Sequence, residues 1–519
     1  MGPREHALCA RLSDGACEAL ALRGSAAARC PMPCVCNNLH AHVLCLNGNL
    51  TDIPGTIPQL TKKLDLWGNS FTVIPAGAFL ATPYLTHLDL QRCNVERLEE
   101  GAFWGLGRLV YLNLASNGIA LLYQESLDGL SSLQQLILKG NRIEEIQLGA
   151  FGHLGSLTVL DLRANALVYL PDMVFQGLQV LRWLRLSHNA LHVLGSEAFT
   201  ALPALRRLSL DHNELQTLPG EALARLDGAT RLDLGHNPIT YVPEEALAMA
   251  SLKHLFLDHA ALQDVAPDAF ARSPQLRTLD LRENQLQGHN SMGELAEGDL
   301  AGAGGLRWLY LAGNTIGRIA PAALAPAKML EKQNLEGNLL TEVPTASLRG
   351  LPALSELKLS RNPIKRLRDS AFLPVASSLQ HLYLDNMGLQ QISPSAFAGL
   401  GPKIRSLHLE SNKMSNVPDM SNFTGLEILN LRDVPFHCDC QLLPLHRWID
   451  KLTLCIGAPC GSPAEARGLK VKLSTTFQTC AGWGRGKAGG ASPDKTKAAS
   501  KPSKRSGKSP ARGFQKSRG

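Results

Sequence analysis

The hexapeptides LRLSHN (residues 184–189), LSLDHN (208–213) and LDLGHN (232–237) decide the fold. In each, two leucines alternate with polar residues and an asparagine ends the run, and the three asparagines lie 24 residues apart. Such alternation indicates a short β-strand, and its return at a fixed spacing indicates a repeat architecture with one strand per unit. In this frame we count sixteen repeats, whose asparagine slots are occupied by Asn69, Cys93, Asn117, Asn141, Asn165, Asn189, Asn213, Asn237, Ala260, Asn284, Asn314, Asn338, Asn362, Met387, Asn412 and Val434.

Each recurring residue type has a structural role in the repeat. A single unit cannot bury its apolar face until a neighbour stacks on it, so leucines such as Leu64 and Leu88 are expected to form one continuous core. The asparagine amide is expected to be buried and to satisfy backbone groups at the turn after the strand. Cys93 fills that slot, and we interpret it as a buried thiol rather than a reactive one. Phenylalanines in the second half of the repeats are expected to form a spine on the convex side: Phe79, Phe103 and Phe151.

The pattern LxxLxLxxN resembles the signature of leucine-rich repeats. The resemblance implies an α/β fold, a leucine-rich-repeat solenoid with a curved parallel sheet of about 16 repeats of 24 residues. Because neighbouring strands lie roughly 4.8 Å apart, the inner side of such a sheet is about 75 Å long. We expect the function of the protein to reside on that side.

Composition excludes several other classes of protein. Charged residues make up 19% of the chain and aromatic residues 5%, which is typical neither of a disordered chain nor of a membrane protein. No apolar run approaches the roughly 18 residues of a membrane-spanning helix. The net charge of +7 is unevenly distributed: residues 481–519 contain eleven Lys and Arg and one acid, a charge of +10, which leaves −3 for the remainder.

The basic tail, residues 481–519, is predicted to be disordered because it mixes Lys, Arg, Ser, Pro and Gly without apolar periodicity. Spaced cations on a flexible chain attract polyanions, and salt weakens that attraction. We expect the tail to bind glycosaminoglycan or a heparin-like polyanion, with a merely solubilising tail as the alternative. The expected contacts are Lys495, Lys497, Lys501, Lys504, Arg505, Lys508 and Arg512.

Eleven of the twelve cysteines lie near the two ends of the repeats, and Cys93 lies in the long stretch between them. Paired clusters in these places predict disulfide-stapled caps, which require an oxidising compartment, and we therefore expect a secreted protein. Residues 1–29 contain no clear signal peptide, since they offer no apolar run longer than residues 19–22, whereas a signal peptide needs an apolar run of about 7–15 residues. We interpret the N-terminus as incomplete or mis-started, against the alternative of a cytosolic protein.

One seam interrupts the period. The asparagine spacing rises to 30 residues between Asn284 and Asn314, and the insert at residues 289–305 is rich in Gly, Ala and acids. The plain interpretation is an insertion that loops out of the solenoid, and the alternative is a junction between two arrays. Gln333 stands where the next repeat needs a core leucine, which predicts poor packing just beyond the seam.

The cysteine spacing extends the resemblance. CPMPCVC (residues 30–36) with Cys45, and CDCQLLPLHRW (residues 438–448) with Cys460 and Cys480, match the caps of small leucine-rich-repeat proteins of the extracellular matrix, and the chain is most similar to the chondroadherin family between Cys30 and Cys480. The family includes proteins with two capped arrays, so the resemblance implies that internal caps are absent here, through a splice form or a faulty gene model. It also implies the bridges Cys30–Cys36, Cys34–Cys45, Cys438–Cys460 and Cys440–Cys480, and leaves Cys9, Cys17 and Cys455 without partners.

Seven segments follow from these features. The second cap is expected to contain a short amphipathic helix with Leu442, Leu445 and Trp448 on its inner side. The segments are an unassigned N-terminal stretch (1–29), the N-terminal cap (30–58), a first repeat array (59–288), the seam insert (289–305), a second array (306–435), the C-terminal cap (436–480) and the basic tail (481–519).

The concave face is the inner side of the sheet, formed by the residues that flank and separate the two leucines of each hexapeptide. Exposed aromatic residues and arginines are the residue types enriched in interface hot spots, and we expect a partner to bind here. A surface of mixed charge that only confers solubility is the alternative, since Asp65, Asp89, Asp161 and Asp233 are interspersed. The expected contacts are Trp67, Tyr111, Arg163, Trp183, Arg185, Arg207, Arg231, Phe256, Trp308, Tyr310 and Tyr383.

Other candidate sites are weaker. His188, His212, His236 and His259 share one position in successive repeats, so stacking brings their rings together. Neighbouring imidazoles are zinc ligands, but a solvent-facing consequence of the repeat is the interpretation we prefer, with no metal and no cofactor. Asn49 and Asn422 are N-glycosylation acceptors in a secreted chain.

The chain offers no isolated nucleophile with a base, no carboxylate pair that breaks the repeat and no glycine-rich phosphate loop, so we predict that it is not an enzyme. The resemblance implies a secreted matrix protein that binds collagen and affects fibril assembly and chondrocyte differentiation, with a cell-surface receptor as a further partner. The ectodomain of a repeat-containing receptor or adhesion protein is the second hypothesis, an intracellular scaffold the third and a hydrolase the fourth. Nucleic acid fits the tail electrostatically but belongs to a different compartment.

Overall fold

The computed structural model describes residues 30–286 and 293–481, which form a parallel β-solenoid. Its concave side is a 19-stranded sheet in which every pairing is parallel except the first hairpin. The predicted repeat solenoid is confirmed, and each of the sixteen repeats contributes one strand, from Lys63–Asp65 to Ile428–Leu431. The N-terminal segment, the seven cationic residues expected to bind polyanions and most of the rest of the basic tail lie outside the described residues.

The concave strands are short because the backbone turns out of the sheet at the asparagine slot. They are Val35–Asn37, His42–Leu44, Lys63–Asp65, His87–Asp89, Tyr111–Asn113, Gln135–Ile137, Val159–Asp161, Trp183–Arg185, Arg207–Ser209, Arg231–Asp233, His254–Phe256, Thr278–Asp280, Trp308–Tyr310, Lys332–Asn334, Glu356–Lys358, His381–Tyr383, Ser406–His408, Ile428–Leu431 and Leu454–Gly457.

The outer side of the solenoid carries strands of two or three residues that pair in parallel between neighbouring turns. These pairs are Val73–Ile74 with Arg97–Leu98, Leu121–Leu122 with Glu145–Ile146, Tyr169–Leu170 with Val193–Leu194, Tyr241–Val242 with Asp264–Val265, Glu294–Leu295 with Arg318–Ile319, Arg366–Leu367 with Gln391–Ile392, and Phe436–His437 with Cys460–Ser462.

Helices are few and short. The α-helices of the described residues are Gly220–Leu223 and Leu443–Ile449, and the 3-10 helices are Leu373–Val375, Cys440–Leu442, Ala464–Ala466, Val471–Leu473 and Thr475–Thr479. Within residues 30–286 and 293–481, no helix has both the length and the apolar character needed to cross a membrane.

Leucine at the middle of each concave strand builds the core. Leu64, Leu88, Leu112 and Leu136 face one another in register and are each at most 2% exposed. Burying one such side chain contributes about 1.5–3 kcal/mol relative to leaving it in water. Because the stacked neighbour supplies this burial, the continuous leucine core depends on the array, as the sequence predicts.

The buried asparagine joins neighbouring repeats through their backbones. The Asn117 amide donates to the carbonyl oxygens of Leu90 and Leu114, both at 2.9 Å, and its oxygen accepts the Cys93 N–H at 2.8 Å. The predicted role of this residue is therefore confirmed. The Cys93 thiol is itself buried and donates to the Leu66 carbonyl oxygen at 3.0 Å. Burial raises the pKa of this thiol to about 11, which supports its interpretation as an unreactive group.

Phenylalanines stack along the convex side. The ring centroids of Phe79 and Phe103 lie 6.1 Å apart, those of Phe151 and Phe175 6.0 Å apart, and those of Phe175 and Phe199 6.1 Å apart. All five side chains are buried. The predicted spine is confirmed, and it supplies a second row of apolar contact between repeats.

The N-terminal cap adds a hairpin to the edge of the sheet. Val35–Asn37 pairs antiparallel with His42–Leu44, which pairs parallel with the first repeat strand, Lys63–Asp65. Two disulfides, Cys30–Cys36 and Cys34–Cys45, hold the hairpin closed. The hairpin therefore covers hydrogen-bonding groups of a strand that would otherwise be an open edge.

The C-terminal cap covers the other end. The strand Leu454–Gly457 extends the sheet. The helix Leu443–Ile449 packs on the last repeat, where the ring centroids of Trp448 and Phe423 lie 6.1 Å apart in an edge-to-face arrangement. The expected inner residues Leu442, Leu445 and Trp448 are all buried. The disulfides are Cys438–Cys460 and Cys440–Cys480, so all four pairings implied by the resemblance are present.

The seam does not interrupt the sheet. Thr278–Asp280 pairs in register with Trp308–Tyr310. The Asn314 amide donates to the Leu281 carbonyl oxygen at 2.8 Å, and its oxygen accepts the Leu286 N–H at 3.2 Å. The interaction that joins ordinary repeats therefore also joins the repeats on the two sides of the seam.

The repeat resumes inside the segment assigned to the seam insert. Glu294–Leu295 takes the place of an outer strand and pairs with Arg318–Ile319. Leu300 is buried, and it occupies the same repeat position as the buried Phe270, which lies 30 residues earlier. Residues 293–305 are therefore the ordinary second half of a repeat, and the additional length lies between residues 286 and 293, outside the described residues.

The core is imperfect at the seam and beyond it. A cavity of about 20 Å³ adjoins Phe270, Leu286 and Leu295, which is room for about one water molecule. Farther along the chain, Gln333 lies in register between Leu309 and Leu357 and is 1% exposed. Neither the Nε2 nor the Oε1 atom of Gln333 has a hydrogen-bond partner within the described residues. The defect at Gln333 is one of hydrogen bonding, and the poor packing expected there stays a prediction.

We expect Gln333→Leu to stabilise the protein. A buried amide without partners costs roughly 1–3 kcal/mol, and leucine restores the apolar contact of the neighbouring strands. Chemical denaturation followed by circular dichroism should show a higher midpoint than the native chain. Leu357→Gln is the matched control and is expected to lower the midpoint, and an unchanged or lower midpoint for Gln333→Leu would contradict the expectation.

We expect the disulfides to differ in their contribution to stability. Cys440–Cys480 closes a loop of 40 residues and Cys30–Cys36 a loop of 6. In the chain-entropy model the longer loop contributes about 4 kcal/mol and the shorter about 2 kcal/mol. Paired Cys→Ser variants compared by denaturation should therefore lose more stability at the C-terminal bridge, and an equal loss would argue against the entropic account.

Candidate partner-binding face

The concave strands arrange their outward side chains in columns. In His87–Asp89, for example, the middle leucine is buried while the flanking residues remain partly exposed. Because each strand pairs in register with the next, equivalent side chains lie above one another at the spacing of the strands, about 4.8 Å. The concave face is therefore a set of side-chain rows, and each expected contact residue has a neighbour from an adjacent repeat.

An aromatic ring between arginines lies at the centre of the concave face. The Arg185 guanidinium carbon is 3.5 Å from the centroid of the Trp183 ring, and that of Arg207 is 5.4 Å away. Arg185 also pairs with Asp161 at 3.1 Å, as does Arg163 at 2.6 Å. We call these five residues the central cluster. Cation–π contacts of this kind contribute about 0.5–2 kcal/mol, and they hold long side chains in one conformation before a partner arrives.

Asp161 is the anchor of the central cluster. Its side chain is 2% exposed. Burial raises the pKa of this carboxyl, but the hydrogen bonds from Arg163 and Arg185 outweigh that effect and the pKa is lowered overall. Asp161 therefore remains charged at neutral pH, and the two guanidinium groups are held against the sheet.

Similar pairs continue on both sides of the central cluster. The Arg231 guanidinium carbon lies 4.1 Å from the centroid of the Phe256 ring. Trp67 is 5.8 Å from the guanidinium carbon of Arg92, and the ring centroids of Tyr111 and His87 are 5.9 Å apart. The pairing of an aromatic ring with a cation or imidazole therefore recurs at several places along the face.

The pairs also continue beyond the seam. The Arg282 guanidinium carbon lies 5.4 Å from the centroid of the Tyr310 ring. Arg282 Nη2 also forms an ion pair with Asp280 Oδ2 at 2.6 Å. Tyr383 has the Lys358 ammonium at 4.8 Å on one side and the His408 ring stacked at 4.5 Å on the other.

All eleven residues expected to contact a partner lie on the concave strands or directly after them, and all are partly or fully exposed. Trp308 differs from the others, because its indole Nε1 is buried and has no hydrogen-bond partner in the part of the chain that the structure describes. Five members of the pairs were missed, although each occupies a concave position or the adjoining turn, where a neighbouring repeat carries an aromatic ring: His87, Arg92, Arg282, Lys358 and His408.

Asp233 has an environment opposite to that of Asp161. Its side chain is 25% exposed, and the Arg231 guanidinium is 4.0 Å away. Burial, reinforced by the nearby charges of Asp211 and Asp258, raises the pKa of Asp233 to about 6. The arginine is too distant to offset these effects, so the carboxylate is charged at neutral pH at the expense of stability.

We expect Asp233→Asn to stabilise the folded protein at pH 7.5 but not at pH 4. In the folded protein the pKa of Asp233 is about 6, above the ordinary value of 3.8. The protonated Asp233 carboxyl therefore contributes its full stability below pH 3.8, and this contribution is lost as the pH rises through 6. The gain at pH 7.5 is about 1–3 kcal/mol, measured by denaturation at both pH values. Asp161→Asn is the control, with a loss at pH 7.5, and a pH-independent effect of Asp233→Asn would contradict the assignment.

The histidine column comprises His188, His212, His236 and His259. Their ring centroids are 4.0, 3.9 and 4.4 Å apart along the column and the rings are nearly parallel, so the expected stacking is confirmed. Burial, together with the charges of His212 and His259, lowers the pKa of His236. The column lies where the chain leaves the concave strands, beside the central cluster.

The two glycosylation acceptors are accessible. Asn49 and Asn422 are exposed, and so are the threonines two residues after them, Thr51 and Thr424. Neither asparagine belongs to a concave strand. A glycan at either position would leave the concave face open, so the geometry is compatible with both expectations.

Comparison with known proteins identifies the repeat. The family described as leucine rich repeat matches residues 59–119, 131–191, 180–239, 227–286, 328–386 and 377–433. Chondroadherin-like protein of Homo sapiens is 43% identical over 145 residues, which are 28% of this chain and 18% of that protein. Chondroadherin of Rattus norvegicus is 36% identical over 112 residues, 22% of this chain and 31% of that protein. The matched region therefore spans less than a third of either relative.

Solved structures share the architecture. A leucine-rich-repeat protein of Leptospira interrogans superimposes with a TM-score of 0.63 at 26% identity, over 77% of this chain and 97% of that chain. In the Toll–Spätzle complex of Drosophila, one chain superimposes with a TM-score of 0.64 at 21% identity, over 82% of this chain and 62% of that chain. The second likeness concerns the fold alone.

Proposed function

Since this chain belongs to the leucine-rich-repeat family, we propose that it is a secreted matrix protein that binds collagen on its concave face. The observation that carries the proposal is the series of aromatic–cation pairs along the concave strands, at whose centre the Trp183 ring lies 3.5 Å from Arg185. The family provides the scaffold, and the identity of the side chains provides the binding chemistry.

Collagen fits this chemistry for two reasons. Its chains adopt the polyproline II conformation, and aromatic side chains recognise such proline-rich segments by packing against them. Its side chains project outward from the triple helix, and a face with both Arg207 and Asp233 presents charges of both signs to them. The aromatic residues would then contribute most of the binding free energy. The ion pairs would fix the register of the collagen on the concave face.

The basic tail is the second binding element of the proposal. Residues 481–519 carry a charge of +10, which favours glycosaminoglycan or heparin-like polyanions as ligands. Seven of its cations are the proposed contacts: Lys495, Lys497, Lys501, Lys504, Arg505, Lys508 and Arg512. With collagen on the repeats and sulfated sugar on the tail, the protein would connect two matrix polymers and influence fibril assembly and chondrocyte differentiation.

Secretion into the extracellular matrix is proposed because the four cap disulfides need an oxidising compartment. The similarity to chondroadherin and chondroadherin-like protein supports a matrix location. N-linked glycans are proposed at Asn49 and Asn422. The role is binding rather than catalysis, with no cofactor, and a cell-surface receptor is a further proposed partner.

We expect collagen and heparin binding to be separable. Deleting residues 481–519 should abolish heparin binding and leave collagen binding intact, whereas Trp183→Ala with Arg207→Ala should weaken collagen binding at least tenfold, because both remove central contacts. Solid-phase binding of the secreted chain to fibrillar collagen and to heparin measures both effects. Thermal unfolding of each variant checks that it is folded.

Tyr241→Ala is the matched control, since Tyr241 is an exposed aromatic residue on an outer strand. It should change neither interaction. Loss of both ligands on deletion of the tail would contradict a role for the concave face. If the doubly substituted variant binds collagen normally, the central cluster is not the collagen contact. If the protein binds only a cell-surface ligand, the ectodomain of a receptor or adhesion protein is the favoured function.

A further inference from the structure

Four imidazoles and two carboxylates meet where the chain leaves four successive concave strands. Each histidine belongs to the histidine column, and two of them follow an aspartate directly in the sequence. We propose that the column binds two zinc ions, one held by His188, Asp211 and His212 and the other by His236, Asp258 and His259.

The donor atoms of each set are already close. In both sets, one ring nitrogen from each histidine and one carboxylate oxygen lie within 4.8 Å of one another. His212 Nδ1 is 3.0 Å from an Asp211 oxygen, and His259 Nδ1 is 3.1 Å from an Asp258 oxygen. Zinc binds imidazole nitrogen and carboxylate oxygen at about 2.0–2.2 Å, and three protein ligands with water in the fourth position are a common set. Because a metal lies in the plane of the imidazole that binds it, the two stacked rings of each set would have to turn out of their stack to bring the donors to these distances.

The backbone holds the histidines in place before any metal binds. His188, His212 and His236 have φ between 55° and 57°, and each precedes an asparagine of the repeat, which is partly buried at Asn189 and buried at Asn213 and Asn237. The Asn213 amide, for example, donates to the carbonyl oxygens of Leu186 and Leu210. The distance between the backbones of neighbouring histidines is therefore set by the repeat spacing, so only the side chains have to be ordered on binding.

The distribution of acids matches the two sets. The residues before the four histidines are Ser187, Asp211, Gly235 and Asp258, so each consecutive pair of histidines receives one carboxylate. The rings of His212, His236 and His259 are 39%, 40% and 47% exposed, and both aspartates are 21% exposed. An ion can reach the donors from solvent, and the side chains have room to turn toward it.

Zinc at these positions would add a link between repeats that already meet through strand pairing, packing and asparagine hydrogen bonds. The first ion would join the repeats of His188 and His212, and the second those of His236 and His259. The column adjoins the central cluster, so the ions would stiffen the part of the concave face with the closest cation–aromatic contact. The proposal does not depend on collagen as the partner, and it revises the sequence-based preference for a column without metal.

Isothermal titration of the secreted, disulfide-bonded chain with zinc chloride tests the proposal. Substitution by asparagine suits the backbone, because asparagine tolerates a positive φ. His188→Asn with His212→Asn should bind one zinc fewer than the native chain, and so should His236→Asn with His259→Asn. The fourfold variant should bind two fewer. Differences between variants are compared, so zinc bound elsewhere on the chain does not enter the result.

Two matched controls define specificity. His192→Asn changes an exposed histidine outside the column and should leave the stoichiometry unchanged. Asp211→Asn should weaken the first ion about tenfold or more while the metal-free melting temperature stays close to native. Cobalt in place of zinc should produce the visible absorption of a four-coordinate ion, and the fourfold variant should lack it.

The proposal fails if the fourfold variant, folded by circular dichroism, binds as many zinc ions as the native chain. It also fails if calcium, which prefers oxygen ligands, binds the column as tightly as zinc, because the site would then be an acidic surface without use of the imidazoles. A rise in melting temperature with zinc that is lost in the fourfold variant would support the cross-link between repeats.

Discussion

The buried asparagine at the end of most concave strands is the constraint on which the rest of the molecule depends. At Asn213, for example, the amide donates to the carbonyl oxygens of Leu210 and Leu186 at 2.9 and 3.0 Å, and the side-chain oxygen accepts the Leu191 N–H at 3.1 Å. A hydrogen bond contributes only about 1 kcal/mol net, but a buried polar group left unpaired costs more. The asparagine therefore acts mainly by making other relative positions of neighbouring repeats unfavourable. It fixes the register in which the leucines stack.

A fixed register converts a linear period into surface chemistry. Residues 24 positions apart in the sequence become neighbours on adjacent strands. A residue type that recurs at one position of the repeat therefore forms an extended row of side chains. Histidine in four successive slots becomes a column with rings about 4 Å apart, and alternating rings and cations become the pairs around Trp183. The same geometry brings acidic side chains together, which explains why the pKa values of two aspartates shift in opposite directions. Asp161 has two guanidinium partners and a lowered pKa, whereas Asp233 lies among other acids and has a raised one.

The sequence predicted the parts of the structure that the period controls. The strand positions, the Phe79–Phe103 spine and the concave placement of Trp183 all follow from one frame, while the Cys34–Cys45 bridge follows from resemblance to a family. The pairings between side chains could not be predicted, because whether Arg282 extends toward Tyr310 depends on rotamers and on its own ion pair. The identity of the partner lies further from reach, since the period specifies where a surface is and leaves open what it binds.

The seam shows how far this control extends. Six additional residues between repeats could have ended the sheet, but Asn314 makes the usual contacts with Leu281 and Leu286 across them. The register is preserved because each repeat contacts only its neighbours, so an insertion outside the strand and the asparagine slot need not propagate. The disturbance remains local and is confined to the small cavity at the seam. The concave face consequently crosses the seam without a break, with Phe256 before it and Tyr310 after it belonging to one surface that a rod-shaped ligand can follow.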